Sequence, residues 1–306
     1  GQAGTLASSI TAGVALGLNA EQMANSLALS MDMASGTEQY VYDAGKCDTK
    51  DLLAGYAARN GIHAAKMAEF GFRGPPGALD GKYGYYHAFG DGYDPTYLDG
   101  LEEDFMLATT GFKPHAGCRH VHAGVDVTQK LIEEEGRPNL DEIESIEIGT
   151  YEDSATPDFM INKDPDRPGE AGFSLPVAVS VALTRGSWYK EDIEAYDSPE
   201  TRRLWPLTEV YIDEELEEAF PEEKKGCKLK ITTEDGKEYK SSIDFPKGEP
   251  ENMLTDEEFE EKFRKLNGNL LPESKVSRVI DTCGSLDDLE DIGELIDFTF
   301  LDGDNQ

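Results

Sequence analysis

The chain has 306 residues, 38% of them hydrophobic, with 62 Asp and Glu against 28 Lys and Arg and a formal net charge of -34. The apolar content supports a core and excludes a disordered chain. The charge excludes nucleic acid and anionic membrane surfaces as partners, because both carry the same sign.

The sequence starts at Gly1 and opens straight into helical pattern, as a fragment or a processed product would. Residues 3–35 are rich in Ala, Leu, Ser and Met. Ile10, Val14 and Leu18 lie four apart, and Met23, Leu27 and Met31 repeat the spacing after a break at residues 17–19. Two small-residue helices, buried on most sides, are predicted. A third helix is predicted over 49–70, with Asp48 as N-cap and Leu53, Ala57, Ile62, Ala65 and Ala68 as its apolar stripe. Gly71 and Gly74-Pro75-Pro76-Gly77 end it. Residues 71–96 read as a long ordered loop without the G-K-[ST] of a phosphate cradle. His87 within it, beside Tyr85, Tyr86 and Phe89, reads as a loop residue packed by aromatics.

Further along, a helix is predicted over 118–134, with Val121, Val125 and Ile132 facing inward. A strand follows over 143–151, a Pro/Asp loop over 152–170, and an apolar helix over 173–183 that Gly186 ends. Residues 209–212 read as a strand, and 228–245 as a hairpin turning at Asp235-Gly236. From Thr255 the chain is helical again, opening on the capping box Thr255-x-x-Glu258. Helices, then mixed helix and strand, then helices make an α+β protein: a mainly helical domain (1–105), an inserted α+β domain (106–250), and C-terminal helices (251–306) that return to the first.

Chemistry concentrates in residues 113–122, Lys-Pro-His-Ala-Gly-Cys-Arg-His-Val-His. No carboxylate occurs from Phe105 to Val125, yet Lys113, Arg119 and three of the five histidines fall there. A cationic, titratable island in an acidic chain suits an anion pocket with proton-transfer groups. A buried turn and helix start would also exclude acids. Lys113 precedes a proline and is held extended, which suits a side chain aimed at a ligand. Cys118, His122 and Asp126 follow at i, i+4 and i+8, a row in which Asp126 orients His122. The row lacks the spacing of known zinc helices, so no metal is expected. His120 points elsewhere, as a buried structural histidine would. Lys50 stands in the first turn of its helix, where a cation opposes the helix dipole; beside open amide groups it makes a carboxylate site, although Asp48 and Asp51 can neutralise it. There is no G-x-S-x-G, and a Cys–His pair on one helix is not a nucleophile–base geometry. Four scattered cysteines (Cys47, Cys118, Cys227, Cys283) form no C-x-x-C pair, and no apolar run reaches the ~18 residues of a membrane span. A reduced, cytoplasmic protein is expected, with an acidic surface of the salt-adapted kind.

The island followed by Asp126 closely resembles the lid motif of the MmgE/PrpD family, the 2-methylcitrate dehydratases with cis-aconitate decarboxylase and iminodisuccinate epimerase as relatives. Other stretches agree in order: Met33-Ala-Ser-Gly-Thr37 with Lys50 and residues 55–65; Gly71-Phe-Arg-Gly74 through Leu79-Asp-Gly81 to Gly84; Arg167-Pro168 with Phe173-Ser-Leu-Pro176 and Gly186; and Gly248, Pro250 and Lys262. The resemblance implies a helical domain plus an α+β lid, a site in the cleft between them, a homodimer, and no metal or organic cofactor. Lys50 and Lys113 fall on lysines that line the family's pocket, and His122 on a recurrent lid histidine; together with the island reading, Lys50, Lys113, His115 and His122 are expected to be catalytic, and Cys118, Arg119 and Asp126 substrate-binding. The expected reaction is dehydration of a small di- or tricarboxylate such as 2-methylcitrate, by proton abstraction alpha to a carboxylate. Epimerisation with the same first step is the alternative, and a non-catalytic carboxylate-binding homologue a further one. Cys118 replaces the catalytic lid histidine of the decarboxylase branch, Val177 a frequent tyrosine, and Gly172 a frequent lysine, which disfavours decarboxylation. The family's early Asp, Thr and His pocket residues lie upstream of the resemblance.

Overall fold

Three helices, α1 (Gln2–Ala15), α2 (Ala20–Met33) and α3 (Thr49–Glu69), pack on one another at the start of the chain. The computed structural model describes residues 1–306 except 44–46, 93, 95, 97–98, 102–104, 222, 269 and 300–306, and except the side chain of Asp51. The buried face of α1 is Thr5, Ser9 and Gly13. Its large apolar residues point out: Ile10 is 43% and Val14 69% exposed. The expectation of a core-facing Ile10–Val14 stripe is thus corrected. Small side chains win that face because the helices approach closely: a Cβ at Gly61 of α3 would lie 2.3 Å from Ser8 Oγ and 2.5 Å from Ser9 N. Serine hydroxyls bridge the contact, Ser8 donating to the Ala57 carbonyl at 2.9 Å. Of the predicted α3 stripe, Ala57, Ala65 and Ala68 are buried, joined by Ala64, while Ile62 is exposed. Asn19 and Gln22 close a capping box on α2. The loop after α3 contains a short helix, Tyr85–Phe89, and His87 is exposed.

Beyond residue 110 a four-stranded sheet forms, ordered β2-β1-β3-β4, from β1 (Ile143–Thr150), β2 (Thr208–Ile212), β3 (Cys227–Thr233) and β4 (Glu238–Ile243). β1 pairs parallel with β2 and antiparallel with β3. The alternation read from sequence is realised: Ile146, Ile148, Leu229 and Ile231 are buried, while Lys230 on the other face bridges Glu147 at 2.8 Å. Two helices, α4 (His122–Glu135) and α5 (Leu175–Arg185), cover the buried face and pack on each other. Their crossing is tight at Gly124, where a Cβ would meet Leu175 Cδ1 at 2.4 Å. Ser174 caps α5 through the Val177 N–H, and Gly186 ends it at φ +81.

The expected helix over 118–134 begins later. Cys118 is extended, Arg119–Val121 form a 3-10 turn, and α4 starts at His122. The C-terminal helices are α6 (Asp256–Asn267), capped by Thr255 and Glu258 as predicted, and α7 (Glu273–Gly284). Phe259 of α6 packs edge-on against Phe112, Lys262 donates to the Lys113 carbonyl, and Lys265 sits 3.3 Å over the Tyr189 ring. α6 therefore braces the island. The expected return onto the first helices finds no extended packing of α6 or α7 on α1–α3 among the described residues.

Candidate active site

Lys50, in the first turn of α3, directs its ammonium over the Phe173 ring, 4.1 Å from the centroid. Asp48 occupies the N-cap position but makes no side-chain cap, so the first amides of α3 keep no side-chain acceptor there. Lys50 and Asp48 line a cavity of about 510 Å³ together with Tyr40, Cys47, Gly117, Arg167, Gly172 and Phe173. The opposing wall is the island and the turn before α5. Gly117 makes that wall possible: its φ is +89, and a Cβ there would lie 2.4 Å from the Gly172 carbonyl oxygen. The Cys118 N–H donates to that same oxygen at 2.8 Å, and the Ala116 N–H to Trp188 O at 2.9 Å.

Lys113 folds back on this turn, its Nζ donating to the Gly117 carbonyl at 3.1 Å. Its ammonium is accessible, yet protein crowds it enough that partial desolvation, then the nearby charge of Lys50, hold its pKa below the usual lysine value. The two lysines, from different parts of the chain, thus share one local field.

The other island residues divide differently from the expectation. Asp126 binds His115, not His122: His115 Nε2 and Asp126 Oδ1 are 2.5 Å apart, and the second oxygen accepts the Lys247 N–H at 2.7 Å. Cys118 lies outside α4, which leaves no three-residue row, and although His122 and Asp126 stay i and i+4 on that helix, the His122 Nδ1 is taken by Arg119. His115, 7% exposed, lines a different cavity of about 380 Å³ with Asp126, Tyr189 and Lys262. His122 is fully buried, and desolvation first, then His115 and Arg119, lower its pKa to about 2. It is neutral and accepts from Arg119 through Nδ1 at 3.1 Å, since a guanidinium only donates. Its Nε2 has no partner among the described residues.

Arg119 is not available to a substrate in this arrangement. Its Nε donates to Glu249 Oε1 at 2.7 Å and its Nη1 to the Lys247 carbonyl at 3.0 Å. Glu249, 5% exposed, also accepts from Lys225 at 2.7 Å. Burial alone would raise this carboxyl's pKa, but the hydrogen bonds from Lys225 and Arg119 outweigh it and hold it low. Gly248 delivers the turn: at φ +88 it pairs with Phe112, whose N–H donates to Gly248 O at 2.7 Å. Glu249 was not found in the sequence, where a single acid in an acidic chain carries no signal. Arg167, in the Arg167-Pro168 stretch, forms part of the cavity wall, a position the sequence does not signal. Val177 is fully buried in α5. No helix among the described residues is long and apolar enough to cross a membrane.

The site thus presents cations and glycine-rich backbone to a solvent-reachable cavity, an arrangement suited to holding a small polycarboxylate. Comparison with known proteins agrees with that chemistry. The MmgE/PrpD N-terminal domain matches residues 1–98, and the MmgE/PrpD C-terminal domain matches residues 115–287. A cis-aconitate decarboxylase of Aspergillus terreus is 26% identical over 312 residues, covering 96% of this chain and 62% of the fungal protein. The cis-aconitate decarboxylases of Homo sapiens and Mus musculus are 26% and 27% identical, covering 95% of this chain and 60% of their own lengths. The chain therefore spans less than two thirds of these curated relatives.

Proposed function

The chain belongs to the MmgE/PrpD family, and from that premise we propose that it is a lyase acting on a small di- or tricarboxylate, by removal of a proton alpha to a carboxylate. One observation carries the reading: Lys50 lines a cavity of about 510 Å³ whose other wall includes Gly117, the residue whose carbonyl accepts from the Lys113 ammonium at 3.1 Å. Two like charges held together without a shared carboxylate lower their mutual repulsion by taking up an anion. Lys50, the open amides at the start of α3, and Lys113 hold substrate carboxylates and stabilise the enolate-like charge as it grows. The acidic exterior does not oppose this, because the local field of a cleft differs from net charge.

Dehydration is the reaction we assign, with a 2-methylcitrate-like substrate. The C–H electron pair forms the double bond, the β-hydroxyl departs, and the abstracted proton completes a water molecule. Decarboxylation is what the named relatives carry out. Against it here stand Cys118 at the place of that branch's lid histidine and the buried Val177. Epimerisation shares the first step and differs in where the proton returns. A homodimer in the cytoplasm completes the proposal.

The test follows deuterium exchange, water loss and carbon dioxide release on 2-methylcitrate, citrate, cis-aconitate and iminodisuccinate. Exchange with water loss supports the reading; carbon dioxide release reassigns the bond broken; silence on all four overturns it. Lys113→Ala is expected to lower kcat/KM by about 10²-fold or more while the protein still folds.

A further inference from the structure

We propose that Arg167 is the specificity residue of the cavity that Lys50 lines, holding a second carboxylate of the substrate so that polycarboxylates are selected over monocarboxylates. The inference rests on the reading of that cavity as a carboxylate site and adds to it the residue that counts the carboxylates. Lys50 and Arg167 line the same cavity of about 510 Å³, Lys50 from the start of α3 and Arg167 from the short turn before α5. Lys190 and Glu194 line it too, but pair with each other across one helical turn at 3.8 Å. Asp48, the remaining acid of the lining, forms no ion pair among the described residues.

Nothing in the fold claims the Arg167 guanidinium. Arginines of this acidic chain find carboxylates elsewhere: Arg185 pairs with Asp192, Arg202 with Asp164 and Arg203 with Asp141. Arg167 is exposed and has no side-chain hydrogen bond, ion pair or ring contact among the described residues. Acids beside it in sequence are committed, Asp164 to Arg202 and the buried Glu170 to the Asp166 N–H at 2.9 Å. Asp166 itself forms no ion pair with it. The backbone that carries Arg167 is fixed, by contrast. Its carbonyl accepts from the N–H groups of Glu170 at 3.0 Å and Ala171 at 3.1 Å, and the Gly172 N–H donates to the Pro168 carbonyl at 2.9 Å. Lys50 is steadied on its own side by the Phe173 ring, which packs edge-on against Phe159. A guanidinium offers two parallel N–H donors to one carboxylate, where an ammonium offers a point charge. It also keeps its proton at any working pH, so Arg167 binds and orients and moves no proton. One carboxylate at Lys50 and another at Arg167 fix the substrate at two points. A monocarboxylate leaves one of these cations without an anion.

The experiment measures binding by calorimetry, on the protein as its gene encodes it, with three probes that have no hydroxyl to lose: tricarballylate, succinate and butyrate. The wild type is expected to bind the first two about 10-fold or more tightly than butyrate. Arg167→Gln is expected to lose about 10- to 100-fold in affinity for tricarballylate and succinate, with butyrate binding unchanged. Arg167→Lys is expected to recover only part of that loss, because the charge returns without the fork. A merely structural role would not sort the probes by their number of carboxylates. Wild-type affinity for succinate in Arg167→Gln overturns the assignment and leaves the lyase reading intact. Arg167-dependent binding of tricarballylate by a protein that turns over no substrate supports the assignment and overturns the lyase reading. A wild type that binds neither polycarboxylate overturns both. Should Arg167→Gln fail to fold, phenylglyoxal labelling of the wild type decides: tricarballylate is expected to protect Arg167, read by peptide mass spectrometry, and equal labelling with and without it overturns the proposal.

Discussion

Glu249 shows how one side chain organises several others. It accepts from Arg119 and Lys225, and Arg119 in turn donates to His122 and the Lys247 carbonyl. Glu249→Gln would leave two cations facing a neutral amide. The expected loss is roughly 2–3 kcal/mol, less than for a fully enclosed pair because both cations keep solvent contact, and chemical denaturation measures it. His122 gives a pH prediction with a definite sign. Its folded pKa lies near 2 against an ordinary 6.5, so the unfolded chain takes up the proton first as pH falls. Stability is therefore lost from about pH 6.5 downward, at up to ~1.4 kcal/mol per pH unit for one proton. His122→Asn keeps an acceptor for Arg119 without a titrating ring. Its melting temperature is expected to fall less steeply between pH 7 and 4 than that of the wild type; equal slopes would contradict the assignment.

Among the elements, α1 and α3 meet through glycine and serine, the close approach that small-residue helices allow. Gly61→Ala drives a methyl into Ser8 and Ser9 of α1 and is expected to cost roughly 1–3 kcal/mol. Gly55, on the same helix, has nothing within 4 Å of a built Cβ. Gly55→Ala is therefore expected to stabilise by about 0.5–1 kcal/mol, since the residue is interior to a helix. Thermal melts of the two variants should move in opposite directions. If both moved the same way, helix propensity and not close approach would govern this interface. The packing of α6 onto Phe112 and Lys113 has a parallel consequence: the C-terminal helix sets the posture of a lysine that donates to Gly117 in the cavity wall.

For the whole molecule, charge is the dominant fact. A net charge of -34 on 306 residues makes the fold repel itself. Salt shortens that repulsion, with a Debye length of about 10 Å at 0.1 M and about 3 Å at 1 M. The melting temperature is expected to rise between 0.1 and 1 M KCl. A flat or falling curve would show that the surface ion pairs, such as Lys228 with Asp213 and Glu215, outweigh the excess acid. The cavity should respond less, because Lys50 and Lys113 act on a ligand at short range, where screening is weak.

Local rules were enough to read the order of elements. Thr255 with Glu258, Gly186 after α5, Asp235-Gly236 in the hairpin and the alternation of β1 act within a few residues, so the sequence alone determined them. The island was legible too, because three histidines, a lysine and an arginine without a carboxylate stand out in so acidic a chain. What each island residue does was decided by tertiary structure. Asp126 met His115 while His122 was held by Arg119; Arg119 was claimed by Glu249, 130 positions away; and His120 stayed partly open where His115 and His122 were buried. Such pairings depend on which backbones lie within hydrogen-bond reach, a distance of about 3 Å that only the packed fold sets.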